Sequence, residues 1–279
     1  MEIHKPKPFH NWREFFKEYA IIVVGVLTAL AAEQAVEAWH WRSQVREARE
    51  VIASEMAYNL EGAIWRMRTI DCVERRLDSL AKILDEAART GKLPPVGYIA
   101  QSPRHMWRSG AWDSVVASQT ATHFPREQLA DLGALYKVVQ RIEDYSMPDA
   151  MAWGDLYAMV GPGRRLDPAS EAGLRTAISR ARNTARTIAN LSTFLVTQAR
   201  PLDMPFTKSE LEKLAMARKA SLSQPPQGID ISSSATSPTL ICLPIGAVPP
   251  NYGEAPVKNS ADFVSSAAKF LPDFGKDRR

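Results

Sequence analysis

The chain has 279 residues, of which 45% are hydrophobic and 24% are charged, with a formal net charge of +4 and a pI near 9.1. This length and composition allow a buried core in one or two domains, and the mildly basic balance selects neither nucleic acid nor an anionic lipid surface as a partner. The two cysteines, Cys72 and Cys242, lie far apart and exclude a metal site of paired-cysteine spacing.

A long uncharged apolar run covers residues 20–32. The run is shorter than the roughly 20 residues that a membrane-spanning helix needs. Aromatic residues extend it, because Tyr19 precedes the run and Trp39 follows it, and a helix between them spans roughly 30 Å, the thickness of a hydrocarbon core. The pattern predicts a short arm over residues 1–18 and a transmembrane anchor over residues 19–41.

Two alternatives for this run stay open. Ala29-Leu30-Ala31 has the form of a signal-peptidase site, and cleavage there would release a soluble secreted protein. A buried core helix is the usual structure of apolar runs this short. The unbroken helical pattern through Ala31 to Trp41 favours an uncleaved anchor. The flanking positive charges are nearly balanced, and the short arm favours a periplasmic C-terminal domain.

Two groups of residues in the span are candidates for helix contact. Gly25, Ala29 and Ala32 fall near one helical face and would let a second helix approach closely. Glu33 and Glu37 lie four residues apart and form a candidate intramembrane polar site that would meet Arg or Lys on a partner helix. Alternatively, both carboxylates lie hydrated in the outer headgroup zone, where the cost of a charge is lower.

Helical patterns dominate residues 42–222, which are predicted to form one helical domain. After Trp41 the apolar residues recur at three, four or seven positions up to about Thr90, with a mild interruption at Gly62. Further helices are predicted over 104–120, from Pro125 with a break or kink at Pro148, from Asp167-Pro168 to Pro201, and from Thr207 to about Leu222. The predicted fold class is therefore all-α: a transmembrane helix that continues into a long helix, an antiparallel helical bundle, and an irregular tail.

The tail over residues 223–279 is rich in proline and serine, which predicts an irregular or disordered segment. Within it, residues 239–244 are apolar enough to pack along the bundle as an extended segment, and residues 260–271 fit a short amphipathic helix. Cys242 lies in the apolar stretch. In an oxidising periplasm it would be able to pair with Cys72, and two unpaired cysteines are equally compatible with the sequence.

The opening of the chain resembles a known family. The block His10-Asn11-Trp12-Arg13-Glu14-Phe15-Phe16-Lys17-Glu18-Tyr19, the run from Ile21 to Leu27 and the following Ala31-Ala32-Glu33-Gln34 are similar to the start of an uncharacterised family of bacterial, mainly proteobacterial, single-pass inner-membrane proteins. Ser109-Gly110-Ala111-Trp112-Asp113 also resembles a segment of that family. The resemblance implies an uncleaved inner-membrane protein and supplies no catalytic residues.

No enzyme motif stands out in the sequence. HExxH, GxSxG, a P-loop and paired CxxC are all missing, so we expect no catalytic residues, cofactor or metal ligands. Arg175, Arg182 and Arg186 form a basic strip, but without interleaved aromatic residues it does not indicate nucleic-acid binding. Salt bridges to neighbouring helices explain the strip simply, and anionic lipid headgroups are the alternative.

Two classes of function remain. The first is a membrane-anchored scaffold or accessory protein whose bundle binds other envelope proteins or a second copy of itself. The second is a sensor-like bundle that holds a small molecule between helices in a pocket lined by Trp107, Trp112, Tyr136 and Trp153. A sensor passes its signal to an intracellular module, for which the short arm leaves no room, so the scaffold is the leading expectation.

Overall fold

The computed structural model of the protein describes residues 12–220 and 240–246. This part is 80% helical, with five α-helices and almost no sheet, which confirms the predicted helical class. The α-helices are α1 Trp12–Thr90, α2 Gly110–Ala117, α3 Arg126–Leu156, α4 Pro168–Ala199 and α5 Lys208–Lys219. Two short strands, β1 Lys92–Leu93 and β2 Arg164–Arg165, pair antiparallel. The predicted start of the arm, most of the predicted tail and the predicted helix over 260–271 lie outside the described residues.

The N-terminal part of α1 is long and apolar enough to cross a membrane. An 18-residue window there reaches a mean hydropathy of 1.8, and 0% of the window is buried. The core helix of a soluble protein would meet the same criteria of length and composition, although such a helix is mostly buried. A signal sequence near the N-terminus would meet the same criteria of length and composition.

The rest of α1 lies in a helical body that comprises residues 41–220 and 240–246. α4 packs against α1 on one side and against α3 on the other. The buried side of α1 follows the predicted spacing of three, four or seven residues. It consists mainly of Ile52, Met56, Leu60, Ile64, Val73, Leu77, Leu80 and Leu84.

Ion pairs show that α4 runs antiparallel to α1. Arg175 at the start of α4 pairs with Asp85, whereas Arg186, further along α4, pairs with Glu74. Arg182 lies between them and pairs with Glu74 and with Asp78. Intramolecular carboxylates therefore satisfy the whole basic strip, as its simpler explanation predicted.

In contrast, α3 runs in the same direction as α1. Tyr136 bonds to Glu55 near the start of the helical body, and Asp149 bonds to Arg66 further along α1. α1 and α3 are therefore parallel to each other, while α4, against which both pack, runs in the opposite direction. The reason is that residues 91–125 carry the chain back along α1 before α3 begins.

Two helix boundaries differ from the sequence prediction. α2 begins at Gly110, not near Arg104, because the residues before it bond to side chains of α1. Of the break or kink predicted at Pro148, the break is absent: α3 continues through the proline, since buried residues on both sides of it, including Ile142 and Trp153, hold the helix against the core.

The predicted starts of α4 and α5 are confirmed by their caps. The Asp167 side chain accepts hydrogen bonds from the amides of Ala169 and Ser170, with Pro168 in the first turn of α4. Thr207 and Glu210 form a reciprocal capping box at the start of α5. In both cases the side chain satisfies amides that the first helical turn leaves free.

The apolar part of the tail packs against α1. A disulfide joins Cys72 to Cys242, and residues 240–242 form a short 3-10 helix instead of an extended segment. The buried guanidinium of Arg76 also binds this region through hydrogen bonds to backbone carbonyls. It donates to the carbonyls of Ile99, Ile241 and Leu243. The disulfide and Arg76 together fasten residues 240–246 to the middle of α1.

Candidate binding groove

A carboxylate on α1 caps the short helix α2. Glu55 Oε2 accepts a hydrogen bond from the Ala111 amide at 2.9 Å, and its Oε1 accepts one from the Tyr136 hydroxyl at 2.8 Å. Ser109, at the N-cap position, makes no side-chain cap bond of its own. Glu55 therefore supplies the acceptor and the negative charge that favour the N-terminus of a helix. The three helices α1, α2 and α3 meet at this carboxylate.

An open groove lies beside this carboxylate, with aromatic rings in its wall. Trp112 stacks on Tyr136 with ring centroids 5.2 Å apart and planes 10° apart. The groove has a volume of about 240 Å³. Its lining comprises Trp107, Arg108, Ser109, Trp112, Asp113, Gly133, Tyr136, Lys137, Val139, Gln140 and Glu143. We call it the aromatic groove.

The segment that precedes α2 is bound to α1 through its backbone. Asn59 Nδ2 donates to the Arg108 carbonyl at 2.7 Å, and the Arg108 amide donates to Asn59 Oδ1 at 3.0 Å. The Arg108 guanidinium also lies 3.7 Å from the centre of the Tyr58 ring, a cation–π contact. Because the amide and the carbonyl of Arg108 both bond to the Asn59 side chain, they are not available for helical hydrogen bonds, and α2 does not extend towards the N-terminus through Arg108.

His105 packs against a glycine in the middle of α1. A Cβ atom on Gly62 would lie 2.3 Å from ring atoms of His105, so this close approach requires glycine. Burial, and then the positive charge of Arg108, lower the pKa of His105 to about 4, against a raising hydrogen bond to the Tyr58 backbone. The imidazole is therefore neutral at pH 7, and its Nε2 has no partner among the described residues.

A buried ion pair lies close to this segment in the core. Arg66 and Asp149 are 3.2 Å apart, with only 6% and 5% of their side chains exposed. Arg66 also donates to Ser102 Oγ and to the Pro103 carbonyl, and the Thr184 hydroxyl donates to Asp149. Burial lowers the pKa of Arg66, and the charge of Asp149 opposes that shift. The network ties α1, α3 and α4 to residues 102–103.

The chemistry of the aromatic groove suits recognition by stacking and hydrogen bonding. Burial, together with the neighbouring charge of Glu55, raises the pKa of Tyr136, which stays protonated and donates its hydroxyl hydrogen. The volume is below the about 300–1,000 Å³ typical of small-molecule sites, so only a small ring would fit. Across residues 12–220 and 240–246, no group of three or more His, Cys, Asp or Glu side chains is placed to hold a metal ion.

The structure brings together three of the four aromatic residues that the sequence suggests for a pocket. Trp107, Trp112 and Tyr136 line the aromatic groove. Trp153 lies elsewhere, in a core cluster with Leu156 and Met159, and is only 1% exposed. Its Nε1 has no hydrogen-bond partner in the described part of the chain. Trp153 therefore packs the core of the helical body.

The candidate residues of the span all lie on the exposed part of α1. Gly25, Ala29 and Ala32 are exposed, and a Cβ on Gly25 would meet nothing within 4 Å. Glu33 is likewise exposed. The Glu37 carboxylate accepts a hydrogen bond from Trp41 Nε1 at 3.3 Å, where α1 enters the helical body.

Sequence reasoning missed Glu55, Asn59 and the buried pair of Arg66 with Asp149. A partial signal exists, because Asn59 and Arg66 occupy two successive positions of a seven-residue repeat on the buried side of α1. The repeat runs through Ile52, Asn59, Arg66, Val73 and Leu80, all of which are buried. A polar residue on such a repeat needs a buried partner. The repeat does not identify the partner, which comes from distant parts of the chain.

No family model, no curated protein and no solved structure matches this chain.

Proposed function

We propose that this protein is a membrane-anchored helical scaffold or accessory protein, whose helical body is a bundle outside the cytoplasm that binds other envelope proteins. The proposal depends mainly on α1, a single helix of 79 residues. Its first part is exposed and apolar, and the part after Trp41 extends roughly 70 Å as the packed side of the helical body. A continuous helix of this kind would hold a binding surface at a fixed height and direction above the bilayer.

The Cys72–Cys242 disulfide supports the proposed placement in the periplasm. Disulfides persist in oxidising compartments such as the bacterial periplasm and are rare in the cytosol. The resemblance of residues 10–34 to bacterial inner-membrane proteins favours that membrane as the location of the anchor. The anchor in this proposal is uncleaved and belongs to the bacterial inner membrane.

A test of the anchor and the topology uses the full-length chain. Intact-mass measurement of the membrane fraction should give the uncleaved chain, and a carbonate wash should not release it. Alkaline phosphatase fused after Arg279 should be active, because that enzyme needs the periplasm to form its disulfides. A mature form that begins near Ala32 would refute the anchor. If alkaline phosphatase were inactive and a cytoplasmic fluorescent reporter at the same position were fluorescent, the topology would be the reverse of the proposed one.

An exposed apolar pair on α3 is the candidate contact surface for a protein partner. Met147 and Met151 lie one helical turn apart, with 62% and 65% of their surface exposed. Methionine side chains adapt to different partner surfaces. The neighbouring buried residues Asp149 and Ala152 face the core, so this pair projects away from it.

Photo-crosslinking in living cells tests this surface. A benzophenone amino acid at Met147 or Met151 should give a discrete crosslinked product with a membrane or periplasmic protein. Asn190, which is exposed on α4, provides a matched position at which we expect no such product. Equal crosslinking at all three positions, or none at any of them, would contradict binding through this face.

A second candidate function is small-molecule binding in the aromatic groove, favoured by the open stack of Trp112 on Tyr136. A single-ring ligand that bound there would raise the melting temperature of the protein, and Trp112→Ala would abolish that increase. Trp153→Phe, a change in the core, should leave the ligand-induced increase intact. A screen of single-ring aromatic compounds without any Trp112-dependent shift would eliminate this candidate.

A further inference from the structure

A second open groove lies between α1, the C-terminal end of α4, and α5. Its volume is about 380 Å³, which falls within the about 300–1,000 Å³ typical of small-molecule sites. Its walls are mainly apolar. They are formed by Leu60, Ile64, Val196, Ala199, Leu202, Phe206, Leu211, Leu214 and Ala215. We call it the α4–α5 groove.

Three cations complete the lining of the α4–α5 groove: Arg200, Arg218 and Lys219. All three are exposed, and none forms an ion pair with another residue of the described chain. On α4 the situation is the opposite, because its basic strip is neutralised by carboxylates of α1 and α4. The groove thus combines apolar walls with positive charge that no neighbouring carboxylate neutralises.

The walls of the α4–α5 groove are held in place at both ends of α5. The capping box at Thr207 fixes the first turn. At the other end, Arg68 of α1 donates to the carbonyls of Ala217 and Ala220. Leu211 nevertheless remains 53% exposed in the wall. A pre-formed apolar surface that stays open to water favours a ligand that covers it.

Helix ends alone do not account for this arrangement. Cations near the C-terminus of a helix interact favourably with its dipole, and Arg218 and Lys219 lie in the last turn of α5. That effect needs no apolar trough beside the charges. The conjunction of both features is complementary to a molecule with an anionic head and an apolar tail.

We propose that the α4–α5 groove binds a long-chain fatty acid. The carboxylate would lie among Arg200, Arg218 and Lys219, and the acyl chain would run along the apolar walls towards Leu60 and Ile64. Charge-assisted hydrogen bonds from guanidinium and ammonium groups are the stronger class of polar contact. This inference names a ligand that neither the scaffold function nor the aromatic groove implies.

The height of the groove above the membrane favours a ligand with one chain. Leu60 lies 19 residues beyond Trp41 on α1, which is about 30 Å along the helix. With the proposed anchor, the ligand would have to leave the bilayer to reach the groove. A single acyl chain binds membranes only marginally and reversibly, whereas two chains give stable anchoring. A fatty acid meets this condition and a diacyl phospholipid does not.

The experiment uses the full-length chain in phosphatidylcholine nanodiscs and a 16-carbon fatty acid that carries a photoactivatable diazirine. Peptide mass spectrometry should find the label on the groove walls, within residues 60–64 or 196–219. Palmitate should compete for this label at least about tenfold better than hexadecanol, which has the same chain and no charge. Labelling confined to residues 12–40, or equal competition by the two compounds, would overturn the proposal.

Two pairs of variants test the charge and the apolar walls separately. Arg200→Gln, Arg218→Gln and Lys219→Gln combined should lower the affinity at least about tenfold. The matched control removes three exposed cations elsewhere: Arg126→Gln, Arg141→Gln and Arg180→Gln. Ala215→Trp should block the groove, and Ala172→Trp on the exposed face of α4 should not.

Affinity that is unchanged in the groove variants, or lost equally in the controls, would refute fatty-acid binding at this site. Circular dichroism of each variant verifies that the helices are intact. A carbonate wash of each membrane fraction tests separately whether the variant remains anchored in the membrane. Failure of fatty-acid binding and failure of the proposed anchor are therefore distinguishable.

Discussion

The two parts of α1 belong to one continuous helix, yet they differ in what surrounds them. Between Trp12 and His40 apolar residues remain exposed around the helix, with Ile21 at 72% and Leu27 at 59%. Between Trp41 and Thr90 the apolar residues form one buried side, on which Leu77 is 0% exposed. The first part is typical of a helix in a surrounding that is apolar on all sides. The second part is typical of an amphipathic helix that faces a protein core on one side and water on the other.

Polar residues show the same difference between the two parts. Glu33 and Glu37 in the first part are exposed. Asn59 and Arg66 in the second part lie within the buried side, and each has hydrogen-bond partners from distant segments. The packing of the second part therefore requires specific hydrogen-bond partners for its buried polar residues. The exposed first part makes no such demand, and its character follows from its overall apolar composition.

The largest effect is expected from Arg66→Met in the buried network. The change leaves Asp149 as an uncompensated buried charge, which should cost about 3–5 kcal/mol of the free energy of unfolding. Urea unfolding followed by tryptophan fluorescence measures this cost. Arg180→Met, at an exposed cation without an ion pair in the described chain, should change the free energy by less than about 0.5 kcal/mol. Similar losses in the two variants would contradict the special role of the buried pair.

A direct comparison of the two parts of α1 uses the same substitution in each. Leu77→Ala removes a fully buried side chain and should destabilise the helical body by about 3 kcal/mol. Leu27→Ala, in the exposed apolar part, should leave that free energy unchanged. Urea unfolding of both variants in nanodiscs measures the difference. If Leu27→Ala were equally destabilising, the N-terminal part would be packed in a core and the membrane interpretation would fail.

Acid should weaken the helical body through His105. Its pKa is about 4 in the folded state and near 6.5 when unfolded, so the unfolded state binds the proton more readily. The stability is fully present above about pH 6.5 and is lost as the pH falls towards 4, by about 2–3 kcal/mol. Unfolding measured at pH 7 and pH 4.5 tests this. His105→Gln should show a flatter dependence, and an identical slope would refute the assignment.

Glycine substitutions distinguish a packed from an open part of a helix. Gly62→Ala should destabilise the helical body by about 1–2 kcal/mol, because the new methyl group meets the His105 ring. Gly173→Ala, on α4, meets nothing within 4 Å and should stabilise the protein by about 0.5–1 kcal/mol through helix propensity alone. Thermal unfolding of the two variants measures both signs. A stabilising Gly62→Ala would show that the 102–109 segment does not lie against α1.

The smallest effect on stability is expected within the exposed part. Ala29→Leu and Ala32→Leu enlarge a candidate helix-contact face and should leave the unfolding of the helical body within about 0.5 kcal/mol of its original value. They should weaken chemical crosslinking to a second copy or a partner in native membranes. Crosslinking that persists unchanged would show that these residues are not at a contact.

Local patterns in the sequence were enough for several features of this protein. The apolar run and its flanking aromatic residues predict a helix able to span a membrane, since such a segment must be apolar along its whole length. The buried side of α1 follows from helical periodicity, and the starts of α4 and α5 follow from Asp167 and Thr207, whose side chains satisfy nearby amides. These features depend on residues that are close in sequence.

Only the tertiary structure decided the path of residues 91–125, the grouping of Trp107 with Trp112 and Tyr136, and the separate position of Trp153. The path depends on single contacts, such as Asn59 with the Arg108 backbone and Glu55 with the first turn of α2. Contacts of this kind join residues about fifty positions apart and leave no periodic signal. Gly62 illustrates the same limit. Glycine is unfavourable in a helix interior, and the reason for a glycine at this position is visible only in the structure, where the His105 ring lies against it.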